Sequence, residues 1–163
     1  MLSLGIDPGT ATIGYGLVRE LADGALQAVN YGVIKTPAGI PMHERLKQIY
    51  DELTDIIEIH QPDRAGVEEL FFARNVTTAI TVAQGRGVIL LTLANAEVPI
   101  NEYKPNVVKQ SISGYGGADK SQVQEMVRML LGLEDIPKPD DAADALAVAI
   151  TDIHSSRYSG LAG

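Results

Sequence analysis

The chain of 163 residues contains no cysteine and only three histidines. Disulfides, iron–sulfur clusters and thiolate zinc sites are thereby excluded, and any metal must be held mainly by carboxylates. Long apolar runs are also missing. The longest, Val88 to Ala94, falls far short of the ~20 residues that cross a bilayer. The opening Met1-Leu2-Ser3-Leu4-Gly5 has no basic n-region, and the apolar stretch breaks at Asp7 and Pro8, so no signal peptide is expected. A soluble, cytoplasmic protein without a membrane partner is the expectation. There is no repeat, linker or low-complexity segment. The length suits one domain, drawn over residues 1–155, with a small polar tail over 156–163 expected to fray.

Positive charge is scarce. Thirteen Lys and Arg face 21 Asp and Glu, a formal net charge of -8, which counts against a nucleic-acid partner. The distribution softens this. Between Leu70 and Gln124 five basic residues (Arg74, Arg86, Lys104, Lys109, Lys120) outnumber three acidic ones (Glu97, Glu102, Asp119). That stretch carries +2 and the rest of the chain -10. Carboxylates gathered to hold divalent cations would also look acidic in a formula that counts no metal.

The first third has the pattern of strands, over Leu2 to Asp7, Ile13 to Arg19 and Ala25 to Thr36, separated by turns at Pro8-Gly9 and Asp23-Gly24. Short connections between three strands predict an antiparallel meander. From Pro41 the period changes, with Leu46, Ile49, Tyr50, Leu53, Ile56 and Ile57 three and four apart, an amphipathic helix ending near His60. A short strand over Ala65 to Glu68, an apolar helix over Asn75 to Ala96 and a strand over Val98 to Tyr103 follow. The remainder is predicted as a helical turn over Pro105 to Ser111, a Gly-rich loop over Gly114 to Gly117, and helices over Lys120 to Leu131 and Asp140 to Ile153. The order implies an α/β domain with a mixed sheet, a meander joined by strands returned through crossover helices.

Carboxylates stand at element ends. Asp7 closes the first strand before a sharp Pro8-Gly9-Thr10 turn, where it either caps the turn or faces the end of the sheet, a common place for ligands. Glu68 and Glu69 end another strand, and alternation puts one on each face, so only one of them can share a site with Asp7. Asp141 and Asp144 are three apart at the start of the last helix, on one face, where they also favour the helix dipole. Taken together, Asp7, Glu68, Asp141 and Asp144 form an all-oxygen donor set from three separate parts of the chain. Two magnesium ions ~3.5 to 4 Å apart, activating water and stabilising a leaving oxygen, would use such a set.

The same residues lie in ordered motifs. Gly5-Ile6-Asp7-Pro8-Gly9-Thr10 with Ile13-Gly14-Tyr15-Gly16, then Val67-Glu68-Glu69-Leu70-Phe71 leading to Ala73-Arg74-Asn75, resembles the RuvC-type Holliday-junction resolvases. So do Ala83-Gln84-Gly85-Arg86-Gly87, Val108-Lys109-Gln110, Lys120-Ser121-Gln122-Val123 and Asp141-Ala142-Ala143-Asp144-Ala145-Leu146-Ala147. The resemblance spans roughly residues 1–150. It implies a ribonuclease-H-like fold with a five-stranded mixed sheet flanked by helices, and a homodimer making paired magnesium-dependent nicks across a four-way DNA junction in recombination and repair. Manganese is a candidate substitute for magnesium, and branch-migration helicase proteins are candidate partners. By the same resemblance Asp7, Glu68, Asp141 and Asp144 are the catalytic metal ligands. Lys109 and Lys120 act at the scissile phosphate and on DNA, and Phe71 stacks on bases near the junction centre.

Some positions depart from the pattern or stay open. Asp140 precedes the Asp-Ala-Ala-Asp motif four residues before Asp144, so it competes with Asp141, which is the residue preferred as ligand. Arg74 and Arg86 either contact DNA phosphate or pair with carboxylates. His60 and His154 have the look of helix-end residues and not ligands. The apolar helix over Asn75 to Ala96, with Gly85 and Gly87, is either buried core or a dimer face. The Asp-Pro-Gly-Thr turn also resembles the phosphate-handling turn of the actin, heat-shock and sugar-kinase ATPases, but those need two related domains and leave the Asp-Ala-Ala-Asp helix without a task. A junction-binding protein without activity would lack the carboxylates.

Overall fold

A computed structural model describes residues 1–69 and 76–161. In chain order the elements are β1 (Leu2–Asp7), β2 (Thr12–Glu20), β3 (Leu26–Lys35), α1 (Met42–His60), β4 (Arg64–Glu68), α2 (Val76–Asn95), β5 (Ile100–Tyr103), α3 (Pro105–Ser113), α4 (Lys120–Leu130) and α5 (Asp140–Ser159). One five-stranded sheet runs β3-β2-β1-β4-β5. β1, β2 and β3 pair antiparallel, while β4 joins β1 and β5 joins β4 in parallel. This is the mixed sheet with crossover helices that the strand and helix periods predict.

Alternation along the central strands divides the core. Leu2, Leu4 and Ile6 of β1, with Ala65 and Val67 of β4, point to one face and pack with Ile49, Leu53 and Ile57 of α1 and Ile89 and Leu93 of α2. The opposite face is covered by α5, whose Leu146, Ala147, Val148, Ala149, Ile150 and Ile153 are buried with Val108 and Ile112 of α3 and Val123 and Val127 of α4. Residues 3, 5 and 7 of β1 and 64, 66 and 68 of β4 must then face α5.

α5 lies unusually close to the sheet because glycine lines its bed. A Cβ at Gly5 would collide with the backbone of Ala145 and Ala149, and one at Gly14 with the backbone of Asp141. The alanine-rich sequence of α5 is the other half of this fit, since a larger side chain at Ala145 or Ala149 would lift the helix off.

The far end of α5 is clamped. Asp152 is completely buried; it accepts from Ser3 Oγ at 2.7 Å, from Arg64 Nε and Nη2 at 2.7 and 2.9 Å, and from the Tyr103 hydroxyl at 2.7 Å. One carboxylate thus ties α5 to β1, β4 and β5. Burial, with the Asp152 bond next in weight, pushes the Tyr103 hydroxyl up to about 12. A charge at this depth is tolerated only because each oxygen is paired.

One expectation needs correction. The last helix, expected over Asp140 to Ile153, continues to Ser159, where the Arg157 guanidinium reaches Glu20 at 2.8 Å and the Gly24 carbonyl at 3.1 Å. α2 is neither wholly core nor wholly surface. Gly85, Ile89, Thr92 and Leu93 are buried, while Val76, Ile80, Ala83, Gly87, Leu91 and Ala94 form an exposed apolar stripe. By length and mean hydropathy alone (20 residues, 1.4) α2 could cross a membrane, but its inner side belongs to the core and its Arg86 pairs with Glu102 at 2.6 Å.

Candidate active site

Asp7 is the last residue of β1, and the turn that follows it is braced. The Thr10 hydroxyl donates to the Thr81 carbonyl of α2, and Thr36 Oγ1 donates to the Thr10 carbonyl at 2.6 Å. Gly85 lets α2 sit against the Gly9 carbonyl. The parallel ladder pairs Ile6 with Val67, so the next residues, Asp7 and Glu68, lie side by side at the sheet end on the face covered by α5. Glu69 falls on the other face, its amide donating to the Tyr103 carbonyl at 2.7 Å.

α5 begins above these two strand ends. Pro139 precedes its first residue, and the close seat over Gly14 sets the depth at which Asp141 enters. One carboxylate oxygen each from Asp7, Asp141 and Asp144 can be chosen so that all lie within 4.8 Å of one another. Asp140 points elsewhere. Its carboxylate lies 3.3 Å from Lys120 Nζ and accepts from Gln124 Nε2 at 3.3 Å, both on α4. The competition between Asp140 and Asp141 is therefore resolved by geometry: Asp141 joins the cluster and Asp140 pairs with α4.

Lys120 is the first residue of α4, placed there by a reciprocal cap in which Asp119 accepts from the Gln122 amide and Gln122 Oε1 accepts from the Asp119 amide, both at 2.9 Å. A cation at a helix start opposes the dipole, and the Asp140 and Asp144 carboxylates, at 3.3 and 3.8 Å, offset this. Lys109, midway along α3, is close enough to hold down the pKa of Glu68.

The electrostatics are those of carboxylates crowded away from water. Burial, and then the charges of Glu68, Asp144 and Asp141, pushes Asp7 up to about 9, with a hydrogen bond to Glu68 adding to the rise. Burial raises Glu68 as well, against the pull of Asp7 and Lys109. Asp144 is raised by burial, opposed by the Lys120 ammonium. Such a set of hard oxygen donors, costly to ionise together, fits divalent cations of the magnesium or calcium type.

Of the residues expected at the site, Asp7, Glu68, Asp141, Asp144, Lys109 and Lys120 come together. Phe71 and Arg74 lie outside the described residues. Arg86 pairs with Glu102 and faces no cluster carboxylate. His60 ends α1 as expected, its ring 3.3 Å from Asn30 Nδ2, whereas His154, expected at a helix end, lies within α5, its ring 3.3 Å from Ser111 Oγ. Asp152 escapes the sequence reading, although a lone carboxylate inside the apolar run Ala145 to Ile153, eight residues after Asp144 and so on the same helix face, is the signal that marks it.

The family model of the crossover junction endodeoxyribonuclease RuvC matches residues 3–152. The chain belongs to the RuvC family. The crossover junction endodeoxyribonuclease RuvC of Chloroflexus aggregans is 62% identical over 150 residues, covering 92% of this chain and 91% of that protein. Among solved structures, the RuvC of Thermus thermophilus in complex with a Holliday junction substrate superposes with a TM-score of 0.89 at 33% identity, covering 97% and 96% of the two chains. The yeast mitochondrial Holliday junction resolvase Ydc2 shares the fold alone, at a TM-score of 0.64 and 16% identity over 91% of this chain and 77% of that one. The ribonuclease-H-like arrangement expected of a RuvC is thus the arrangement found, and its acidic end coincides with the family's motifs.

Proposed function

We propose that this chain is a magnesium-dependent endodeoxyribonuclease that resolves four-way DNA junctions by paired, symmetric nicks. The observation that carries the reading is the approach of Asp7, Asp141 and Asp144 to within 4.8 Å, with Glu68 beside Asp7 and lysines on the rim. Two magnesium ions held by these carboxylates would supply activation of water and stabilisation of the departing 3′ oxygen. The remaining work falls to the chain. Burial keeps a proton on Asp7 until cations displace it, so the acidic pocket does not repel the phosphodiester with its full charge. Lys120 then has two tasks, since its ammonium can leave Asp144 for the phosphate while Asp140 retains it at the rim. Lys109, on the Glu68 side, offsets charge that builds on the phosphate during cleavage.

Paired nicks require two such sites in fixed relation. The exposed stripe of α2 supports a homodimer built on a two-fold axis, because an isologous contact buries the same apolar face on both copies. Phe71 and Arg74 remain candidates for base stacking and phosphate contact.

The test is cleavage of a synthetic four-way junction and of a linear duplex with the same arms, with and without magnesium, by the parent and by Asp141→Asn. Magnesium-dependent nicking confined to the junction, with a loss of at least about a hundredfold in Asp141→Asn and junction binding kept, is the expected result. Binding without cleavage by the parent would overturn the enzymatic reading in favour of a structural binder.

A further inference from the structure

The loop between α3 and α4 places an exposed aromatic between the two lysines of the site. Lys109 lies midway along α3, Lys120 opens α4, and Tyr115, 64% exposed, stands on the connection. The connection is braced. Ser113 Oγ lies 2.6 Å from the Lys109 carbonyl oxygen and 3.0 Å from that of Tyr115, and accepts from the Tyr115 amide at 3.3 Å. Gly114 closes α3 at φ 75°.

The ring itself rests on Gly117. A Cβ there would come within 2.6 Å of the Tyr115 hydroxyl and 2.7 Å of its Cζ, so only glycine leaves the ring its place. The hydroxyl end of the ring thus lies against Gly117 while much of the side chain meets solvent. A side chain held this way loses little conformational freedom when a ligand covers it.

Beside the ring runs an open groove of about 510 Å³, lined by Ser113, Ala118, Ser121, Gln122 and Met126 among others. Its polar side chains are engaged within the protein. Ser121 donates to Asp119 at 3.0 Å, Gln122 caps α4, and Glu125 accepts from Arg128 at 3.0 Å. Among the described residues the Tyr115 ring and Met126 are the apolar surfaces that the groove offers a ligand. With Lys120 next in the chain to Ser121 of the groove and Lys109 bonded through its carbonyl to Ser113 of it, such a surface suits a nucleotide.

We propose that Tyr115 is a DNA-stacking residue that packs on a base or sugar of the substrate next to the cleaved phosphodiester. This rests on the reading of the chain as a junction endonuclease. Stacking needs no charge, so it adds affinity to a protein of net charge -8, and every base offers a π-face, so it imposes little sequence preference.

The experiment measures binding of a four-way junction in calcium, which replaces magnesium to prevent turnover, with 2-aminopurine placed in turn at each position flanking the cut. Parent, Tyr115→Phe, Tyr115→Leu and Tyr115→Ala are compared, each checked for its folded circular dichroism spectrum. The expected result is quenching at one position by the parent and by Tyr115→Phe that is lost in Tyr115→Leu. Affinity should fall about tenfold in Tyr115→Leu and Tyr115→Ala, in the range of an aromatic–base stack, with the salt dependence of binding unchanged. Parent-like affinity in Tyr115→Ala overturns the proposal, as does an equal loss in Tyr115→Phe, which would assign the effect to the hydroxyl. A shallower salt slope in the variants also overturns it, because that reports phosphate contact. Failure of the parent itself to bind the junction would instead remove the endonuclease reading on which the proposal stands.

Discussion

Asp7 carries a large electrostatic consequence. Its folded pKa, near 9, lies far above the ordinary 3.8, so between those values the folded state holds a proton that the unfolded state has released. Stability from this group is then greatest below about pH 4 and falls as pH rises toward about 9. The raised Glu68 and Asp144 act in the same direction. In chelator, the melting temperature should decline from pH 5 to pH 8. Asp7→Asn should flatten that decline and, at pH 8, gain at least about 1 kcal/mol, roughly 2–4 °C for a chain of this size. Magnesium should raise the parent's melting temperature more at pH 8 than at pH 5. His154, held below its ordinary 6.5 by burial, destabilises in the opposite sense as pH falls below 6.5. Comparing parent with Asp7→Asn cancels that contribution. A parent whose melting temperature rises from pH 6.5 to pH 8, or an Asp7→Asn that melts lower at pH 8, would show that the cluster is not strained. The buried clamp at Asp152 is the contrasting case, a carboxylate whose charge is matched by Arg64 and hydroxyl donors.

At the scale of the element, α2 presents two different sides and one unmet demand. Ile80 and Leu91 are 55% and 57% exposed in a stripe that continues through Val76, Ala83, Gly87 and Ala94. Light scattering at micromolar concentration should find a dimer for the parent and a monomer for the double variant Ile80→Asp, Leu91→Asp. That variant should keep its circular dichroism spectrum and change paired nicks into single ones. A monomeric parent would refute the symmetric reading. Most of the elements could be foreseen because their periods differ: β1, β4 and α1 show alternation of two or spacing of three and four, and their ends carry turn residues. What escaped depends on contacts between distant segments. The end of α5 is set by Arg157 reaching Glu20 across the sheet, which no local pattern announces. The choice of Asp141 over Asp140 depends on how α5 sits over Gly14 and beside α4. The motifs pointed to the carboxylates, whereas the partners of Asp140 and Asp152 belong to tertiary packing.

The whole molecule must bind a polyanion while carrying a formal charge of -8. Two divalent cations would add +4 and leave -4, so the metal site changes the protein's net field as well as its chemistry. Of the five cations between residues 70 and 124, Arg86 is committed to Glu102 and Lys120 must leave Asp140 and Asp144 to reach phosphate, so four per protomer is the upper limit for phosphate contact. Counterion release gives a slope of about -0.9 in log affinity against log salt for each phosphate neutralised. The slope should then be about -4 or shallower per protomer, modest for a DNA-binding enzyme. Calcium in place of chelator, at matched ionic strength, should strengthen junction binding about tenfold or more. Fluorescence anisotropy with a labelled junction, titrated in sodium chloride with calcium or with chelator, measures both quantities. A steeper slope would place the DNA on cations outside residues 70–124 and move the docking face away from the carboxylate end of the sheet. Equal affinity in calcium and chelator would mean that the acidic cluster stands clear of the DNA, which is incompatible with cleavage there. A shallow slope together with strong calcium dependence follows if phosphate is held mainly through the cations that Asp7, Glu68, Asp141 and Asp144 collect.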